Sequence, residues 1–497
     1  MKRQSPFFKK TILLTASNIL TGALNFIFSL LLSREIGSSG MGLYQLVMPL
    51  YNMFLFITGG GITITLSKVA AEKKAVSNLQ ELYKTVKYVI VFELIWSSII
   101  TSFVLVSAGF LSTDILSDRR TMYSIFAFCP ALIIISVSSV FKGTYYGLQK
   151  VGVPAGIDIV EKLVRISVMY PLILMTRGVG IEFSSAAAVF SLSCGEFASC
   201  LLFYICYKRY KRKNPGYGKA DNCPQLVLNV LKLSIPLAMN GILSTLFSTL
   251  NTVLIPKRLS ASGLSYEQGL SLLGKLQGMA LNIALFPTVI TGAVNTLIIP
   301  TISEAVTYNK PAVINHRINT AFRVGAVTGF STFAIVLAMP ELLGSFFFKD
   351  PAVGTLLRLL APGLPLLYLE MTTFAILNGL GKQGLLLINS TALSLWDLTL
   401  IYILLAIPSL GVKGYGLIFL SSALVGIIIN YIPIRKSICF KPDIFGCLII
   451  PMLSAAPVYI LCRQLSTFIV QVPLLILLCF GLYLGIYVPL YTIWKRK

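Results

Sequence analysis

The chain has 497 residues, of which 56% are hydrophobic and only 12% charged, and its formal net charge is +23. Ordinary soluble domains carry about 25% charged residues, so this composition excludes a soluble globular protein and predicts an all-α polytopic membrane protein. The basic excess does not point to nucleic acid: with the N-terminus cytoplasmic, Lys and Arg gather in the cytoplasmic segments, as the positive-inside rule requires.

Apolar segments of about 20 residues or more are long enough to cross a bilayer as helices. They lie near 11–34, 43–66, 86–111, 121–141, 157–176, 184–207, 226–255, 272–300, 318–340, 352–378, 384–407, 413–433, 444–462 and 471–493. About 14 transmembrane helices are expected, with both termini cytoplasmic. The first segment is too long for the apolar region of a cleavable signal. The nine cysteines show no metal-like spacing and His316 is the single histidine, so no metal site is expected. The lack of a glycine-rich phosphate loop argues against direct use of ATP.

In chain order, the first span carries Asn18, Gly22, Asn25 and Ser29 at spacings that share one helix face. Such a stripe serves either close helix packing or the wall of a polar cavity. Ser67 to Lys87 mixes charges with apolar residues and reads as an amphipathic helix on the membrane surface. Glu93 in the third span and Glu196 in the sixth are lone acids in apolar runs, where a carboxyl is a candidate for ion or proton handling.

The fifth span holds the densest charges. Asp158, Glu161, Lys162 and Arg165 stand at i, i+3, i+4 and i+7, on one helix face, with each acid four residues before a base. That order predicts the ion pairs Asp158–Lys162 and Glu161–Arg165. The basic cluster Lys208, Arg209, Lys211, Arg212, Lys213 and Lys219 then follows the sixth span as a topology anchor.

The second half repeats the first. At an offset of 232, Pro130, Leu132, Gly147, Leu148, Lys150 and Gly152 fall on Pro362, Leu364, Gly379, Leu380, Lys382 and Gly384. Asn18 and Asn52 match Asn240 and Asn282 at offsets of 222 and 230, and Ser29 falls on Asn251. Two tandem six-helix lobes are expected: an N-lobe over 1–207, a basic linker over 208–225, a C-lobe over 226–434, and two C-terminal helices over 435–497. Lys275 either snorkels outward or faces a cavity. Charge has diverged between the halves, with Asp397 standing where the first half has Arg165.

The run Ser33-Arg34-Glu35-Ile36-Gly37-Ser38-Ser39-Gly40-Met41-Gly42-Leu43-Tyr44 resembles the turn signature of polysaccharide and peptidoglycan precursor flippases. Asp118 to Thr121, Ser138 to Gly143, Val164 to Ser167, Gly180 to Glu182 and Gly195 to Ser199 are similar to the stage V sporulation protein B family within the multidrug/oligosaccharidyl-lipid/polysaccharide exporters. The resemblance implies two lobes around a central cavity and outward movement of a lipid-linked saccharide, a peptidoglycan precursor for the spore cortex, across the bacterial cell membrane. Related lipid II flippases carry arginines within their first helix, whereas no cation precedes Arg34 in the first span here.

Such a substrate needs cations for phosphate and amides or hydroxyls for sugar. Arg34, Lys142, Arg165 and Lys275 are the candidate phosphate partners, and Asn18, Asn25, Asn52, Asn240, Asn251 and Asn282 the candidate sugar partners. Glu93, Glu161, Glu196 and Asp397 are candidates for Na+ or H+ coupling, with no other cofactor. No catalytic constellation is evident, so an enzyme is not expected. Expected partners are membrane lipids, the lipid-linked substrate and cell-wall synthesis proteins. Transport of another lipid-linked polysaccharide unit, or a non-transporting scaffold in a sporulation complex, stands as the alternative.

Overall fold

A computed structural model describes residues 6–216, 223–308, 311–437, 442–468 and 471–496; Lys219 of the basic cluster lies outside them. Among these residues the regular elements are helical. The chain folds as two compact units, Met1–Val253 and Leu254–Lys497.

The first unit opens with α1 (Pro6–Gly59), 54 residues long, which joins the first two apolar segments through a kink. The kink is at Gly37, whose φ of 66° is a conformation that glycine adopts without steric cost. Gly59, Gly60 and Gly61 then break the helix, and α2 (Ile62–Ala75) follows. The amphipathic segment expected over 67–87 is not one surface helix. It is the end of α2, a turn, and the start of α3 (Leu79–Phe110). Asn78 caps α3 by accepting from the Glu81 amide at 3.2 Å, and Lys73 reaches back to Glu81 at 2.8 Å. A capped turn satisfies amide donors that a continuing helix would otherwise have to supply.

Next come α4 (Met122–Gly147), α5 (Gly152–Thr176), α6 (Ile181–Lys213) and α7 (Cys223–Ala261). Ile62, Leu66, Leu82, Val86, Val140, Phe141, Tyr145, Phe203 and Val230 form one apolar core between them.

The second unit holds α8 (Tyr266–Leu273), α9 (Leu281–Leu285), α10 (Thr288–Thr307), α11 (Pro311–Ala338), α12 (Pro340–Phe348), α13 (Ala352–Leu360), α14 (Leu364–Gly379), α15 (Gln383–Leu404), α16 (Val412–Ser437), α17 (Ile450–Phe468) and α18 (Val472–Arg496). Its core gathers Ile298, Ile302, Ile318, Ile376, Leu377, Leu386 and Ile434. A disulfide joins Cys462 of α17 to Cys479 of α18, and the Tyr483 hydroxyl donates to the Pro451 carbonyl at 2.9 Å.

By length and hydropathy, 11 stretches of the described residues are fit to cross a membrane, or 12 if the pair Tyr266–Leu285 and Thr288–Asn295, bent by 59°, is one span. The expected 14 differs for two physical reasons. Two expected segments run together in α1, and the four charges of α5 make it too polar to qualify on composition.

Candidate functional site

Three of the four charges of α5 face a cavity of about 400 Å³ inside the first unit. Its wall is built from four other helices as well: Thr21 and Asn25 of α1, Thr63 of α2, Ser138, Ser139 and Lys142 of α4, and Glu196, Ser199 and Phe203 of α6, with Asp158, Glu161 and Lys162 from α5. Gly195 allows α6 to lie this close to α5. A methyl group there would stand 3.0 Å from the Glu161 carbonyl oxygen and 3.2 Å from the Arg165 Cβ.

The ion pairs differ from the local ones expected. Asp158 pairs with Lys142 of the neighbouring helix, with Nζ 2.9 and 2.8 Å from its two carboxylate oxygens. Lys162, freed from Asp158, pairs with Glu161 at 2.8 Å. Arg165 is buried one turn further along. Its guanidinium lies 3.8 Å from the centre of the Phe28 ring and donates to the Tyr44 hydroxyl at 2.9 Å. For Asp158 and Arg165, contacts between helices in a shielded site outweigh an i,i+4 surface pair, which contributes only about 0.2–0.5 kcal/mol; the Lys162–Glu161 pair stays within α5.

Three acids and two lysines thus line the cavity, beside Ser, Thr and Asn side chains. Both lysines already hold a carboxylate. Glu196 forms no salt bridge among the described residues, which leaves the wall with one acid in excess. The Thr21 and Thr63 hydroxyls donate to the Ser17 and Ser139 carbonyls and the Ser138 and Ser199 hydroxyls pair with each other, so the wall offers hydroxyl oxygens as acceptors, and cations only by exchange.

Asn25, Lys142, Glu161 and Glu196 of the expected site are thus brought together, with Arg165 directly behind. Asn18 and Asn52 are exposed elsewhere on α1, Arg34 is exposed near the kink, and Asn240 is exposed on α7. Asn251 is half-buried, with its side-chain oxygen unpaired. Glu93 lines a different, apolar cavity of the first unit.

In the second unit, Lys275 pairs with Asp350 at 2.7 Å, the Asn282 amide donates to the Gly278 carbonyl at 2.5 Å, and Asp397 accepts from the Ser422 hydroxyl. The Lys275 and Asp350 side chains are both largely buried.

Sequence reasoning did not single out Thr21, Thr63, Ser138 or Ser139 for the wall. Thr21 precedes Asn25 by four residues and was detectable as part of its stripe, whereas serines are too common in membrane helices to stand out. The second unit holds a further polar group. The Asn389 amide donates to the Asn430 side-chain oxygen at 3.0 Å, and the Asn430 amide to Glu370 at 3.5 Å. Glu370 occupies the position that Ser138 has in the first half at the offset of 232.

Helices that can cross a membrane, with a charged, hydroxyl-lined cavity in the first unit, define a multi-pass membrane protein. The chain belongs to the polysaccharide biosynthesis protein family, whose characteristic sequence matches residues 7–306. It is similar to stage V sporulation protein B of Bacillus subtilis (strain 168), 26% identical over 434 residues, 86% of this chain and 84% of that one. Lipid II flippase MurJ of the same organism is 23% identical over 410 residues, 76% of this chain and 74% of that one. Among solved structures, a lipid II flippase MurJ in an inward closed conformation aligns with a TM-score of 0.71 at 16% identity, covering 98% of this chain and 99% of that chain. An inward-facing multidrug resistance MATE family transporter aligns with a TM-score of 0.66 at 14% identity, covering 86% and 98%. The motif resemblance to the stage V sporulation protein B family and the all-helical membrane fold both agree with these relatives.

Proposed function

We propose that the chain is a flippase that moves a lipid-linked saccharide precursor outward across the cytoplasmic membrane by alternating access, with both termini cytoplasmic. We further propose a peptidoglycan precursor for the spore cortex as its substrate. The observation that carries this reading is the cavity of about 400 Å³ lined by Thr21, Asn25, Ser138, Ser139, Lys142 and Glu196 inside an otherwise apolar helical unit. Polar groups in a membrane interior are expensive unless they serve a substrate or ion path. A sugar headgroup supplies the hydroxyls that such a wall can bond. A phosphate would enter by taking Lys142 from Asp158 or Lys162 from Glu161, through charge-assisted bonds.

The similarity to stage V sporulation protein B and to lipid II flippase MurJ supports the same substrate class. In this reading Arg165 sets the wall's shape and field. Arg34, Asn18, Asn52, Asn240, Asn251, Lys275 and Asn282 meet the substrate at other stages of its path. Glu161, Glu196 and Asp397 are the acids that couple movement to Na+ or H+. Cell-wall synthesis proteins are the natural partners, and the chain itself performs no covalent chemistry.

The test is transbilayer movement of labelled lipid II in proteoliposomes under an imposed Na+ or proton gradient. The wild type is compared with an Asn25→Ala/Ser138→Ala double variant and with Glu196→Gln. Movement by the wild type, reduced about tenfold or more in the double variant, is expected. Movement of a different lipid-linked oligosaccharide but not lipid II would keep the flippase and change its substrate. No movement of either by correctly folded protein would overturn the reading in favour of a scaffold.

A further inference from the structure

At one end of the first unit, the end of α2, the start of α3, the turn between α4 and α5 and the end of α6 are tied together. The Lys74 Nζ donates to the Leu148 carbonyl at 3.0 Å, which joins α2 to the α4–α5 turn. The Tyr83 hydroxyl donates to the Asn214 carbonyl at 2.7 Å, which joins α3 to the residue that follows α6. Tyrosine rings fill the ground between them. Tyr83 meets Tyr207 edge-on at 6.1 Å, and Tyr145 meets Tyr210 at 6.4 Å.

Cations rest on this floor of rings. The Lys150 Nζ stands 4.1 Å from the centre of the Tyr210 ring, and the Lys211 Nζ stands 5.5 Å from that of Tyr83. Lys74, Lys87, Lys150, Lys208, Arg209 and Lys211 are all exposed, and none forms a salt bridge among the described residues. Of the acids on α2 and the start of α3, Glu81 is already held by Lys73, which leaves Glu72. Insertion topology needs only that cations be present in these segments. It does not require their assembly on tyrosine rings across four elements.

The surface begins at the depth of lipid headgroups. Tyr204 on α6 and Val91 on α3 are 50% and 45% exposed within apolar runs, as side chains facing lipid are. Lys208 and Lys87 stand four residues beyond them, one helical turn or about 6 Å. The headgroup layer on each side of a bilayer is roughly 5–7 Å thick. Exposed cations one turn from exposed apolar groups fit a membrane boundary better than an interface with a soluble acidic protein.

We infer that this platform binds the phosphate headgroups of anionic phospholipids in the leaflet on its side of the membrane. Phosphate oxygens take charge-assisted bonds from Lys87, Lys150, Lys208, Arg209 and Lys211, and each cation near an anionic surface contributes about 1 kcal/mol of attraction. A lysine seated on a ring keeps N–H donors for the phosphate. The inference is independent of the flippase reading and uses none of the residues of the polar cavity.

The experiment uses the full chain in phosphatidylcholine vesicles with trace spin-labelled phosphatidylglycerol or spin-labelled phosphatidylcholine. The motionally restricted fraction of each label gives their relative affinity. A preference for phosphatidylglycerol of about threefold or more is expected at low salt, falling to parity at about 0.5 M NaCl. The variant Lys150→Gln/Lys208→Gln/Arg209→Gln/Lys211→Gln should also show parity, whereas Lys349→Gln/Lys413→Gln, which removes two exposed cations of the second unit, should keep the preference. No preference in monodisperse wild type, an undiminished preference in the fourfold variant, or equal loss in the second-unit variant would each overturn the inference. If the fourfold variant fails to fold, a wild-type preference that survives high salt overturns it alone. Binding of a polyglutamate peptide without any preference between the lipids would overturn it in favour of a protein partner.

Discussion

Lys142 on α4 grips both carboxylate oxygens of Asp158 on α5, at 2.9 and 2.8 Å, and so pins two of the helices that wall the polar cavity. Their side chains are 32% and 29% exposed, which places the pair between a surface bridge and a buried one.

Removing either partner should therefore destabilise the protein by about 1 kcal/mol, more than a surface pair and less than the roughly 3–5 kcal/mol of a fully buried one. Lys142→Ala and Asp158→Ala are each expected to lower the unfolding midpoint in detergent. The exchanged variant, Lys142→Asp with Asp158→Lys, should recover most of the loss; no recovery would mean that the pair's orientation matters beyond its charge.

Arg165 stacks on Phe28 and bonds the Tyr44 hydroxyl, geometry that a lysine does not reproduce. Arg165→Lys should cost about 1–2 kcal/mol. A double-mutant cycle with Phe28→Leu should return a coupling of about 1 kcal/mol. Additive effects would show that the stacking contributes nothing.

Glu196 lines the cavity without a salt bridge among the described residues, so its neutralisation is expected to leave folding intact. Glu196→Gln should keep the wild-type unfolding free energy to within about 0.5 kcal/mol while losing the dependence of transport on a Na+ or proton gradient. Unchanged gradient dependence would remove this residue from the coupling role.

Gly195 brings α6 against the backbone of α5 at Glu161. Gly195→Val should force the helices apart and cost about 1–3 kcal/mol, as overpacking of a core does. Thermal unfolding checks the stability, and accessibility of a cysteine placed at Ser199 checks whether the cavity has widened.

Asn430 joins Glu370 and Asn389 in the second unit. Asn430→Leu leaves two half-buried polar groups without their shared partner and should cost about 1–3 kcal/mol. The triple variant with Glu370→Leu and Asn389→Leu should be closer to wild type than the single one, because no unsatisfied group then remains.

Hydropathy and helical periodicity are local properties, and they made the membrane class, the duplication and the shared face of Asp158, Glu161, Lys162 and Arg165 readable from the chain alone. The buried polarity of Glu93 and Glu196 was equally visible, since an acid in an apolar run stands out wherever the helix goes. What no local rule could decide was which charge meets which. Lys142 stands 16 residues before Asp158, and Tyr44 stands 121 residues before Arg165. Only helix packing brings them within bonding distance. The same packing sends Asn25 into the polar cavity, leaves Asn18 on an exposed surface, and sets Glu93 beside a separate apolar cavity. Composition and period along the chain determined that these helices form and enter a membrane. Side-chain contact across helices, which depends on angles and close approaches such as that at Gly195, decided which of their polar groups share a site.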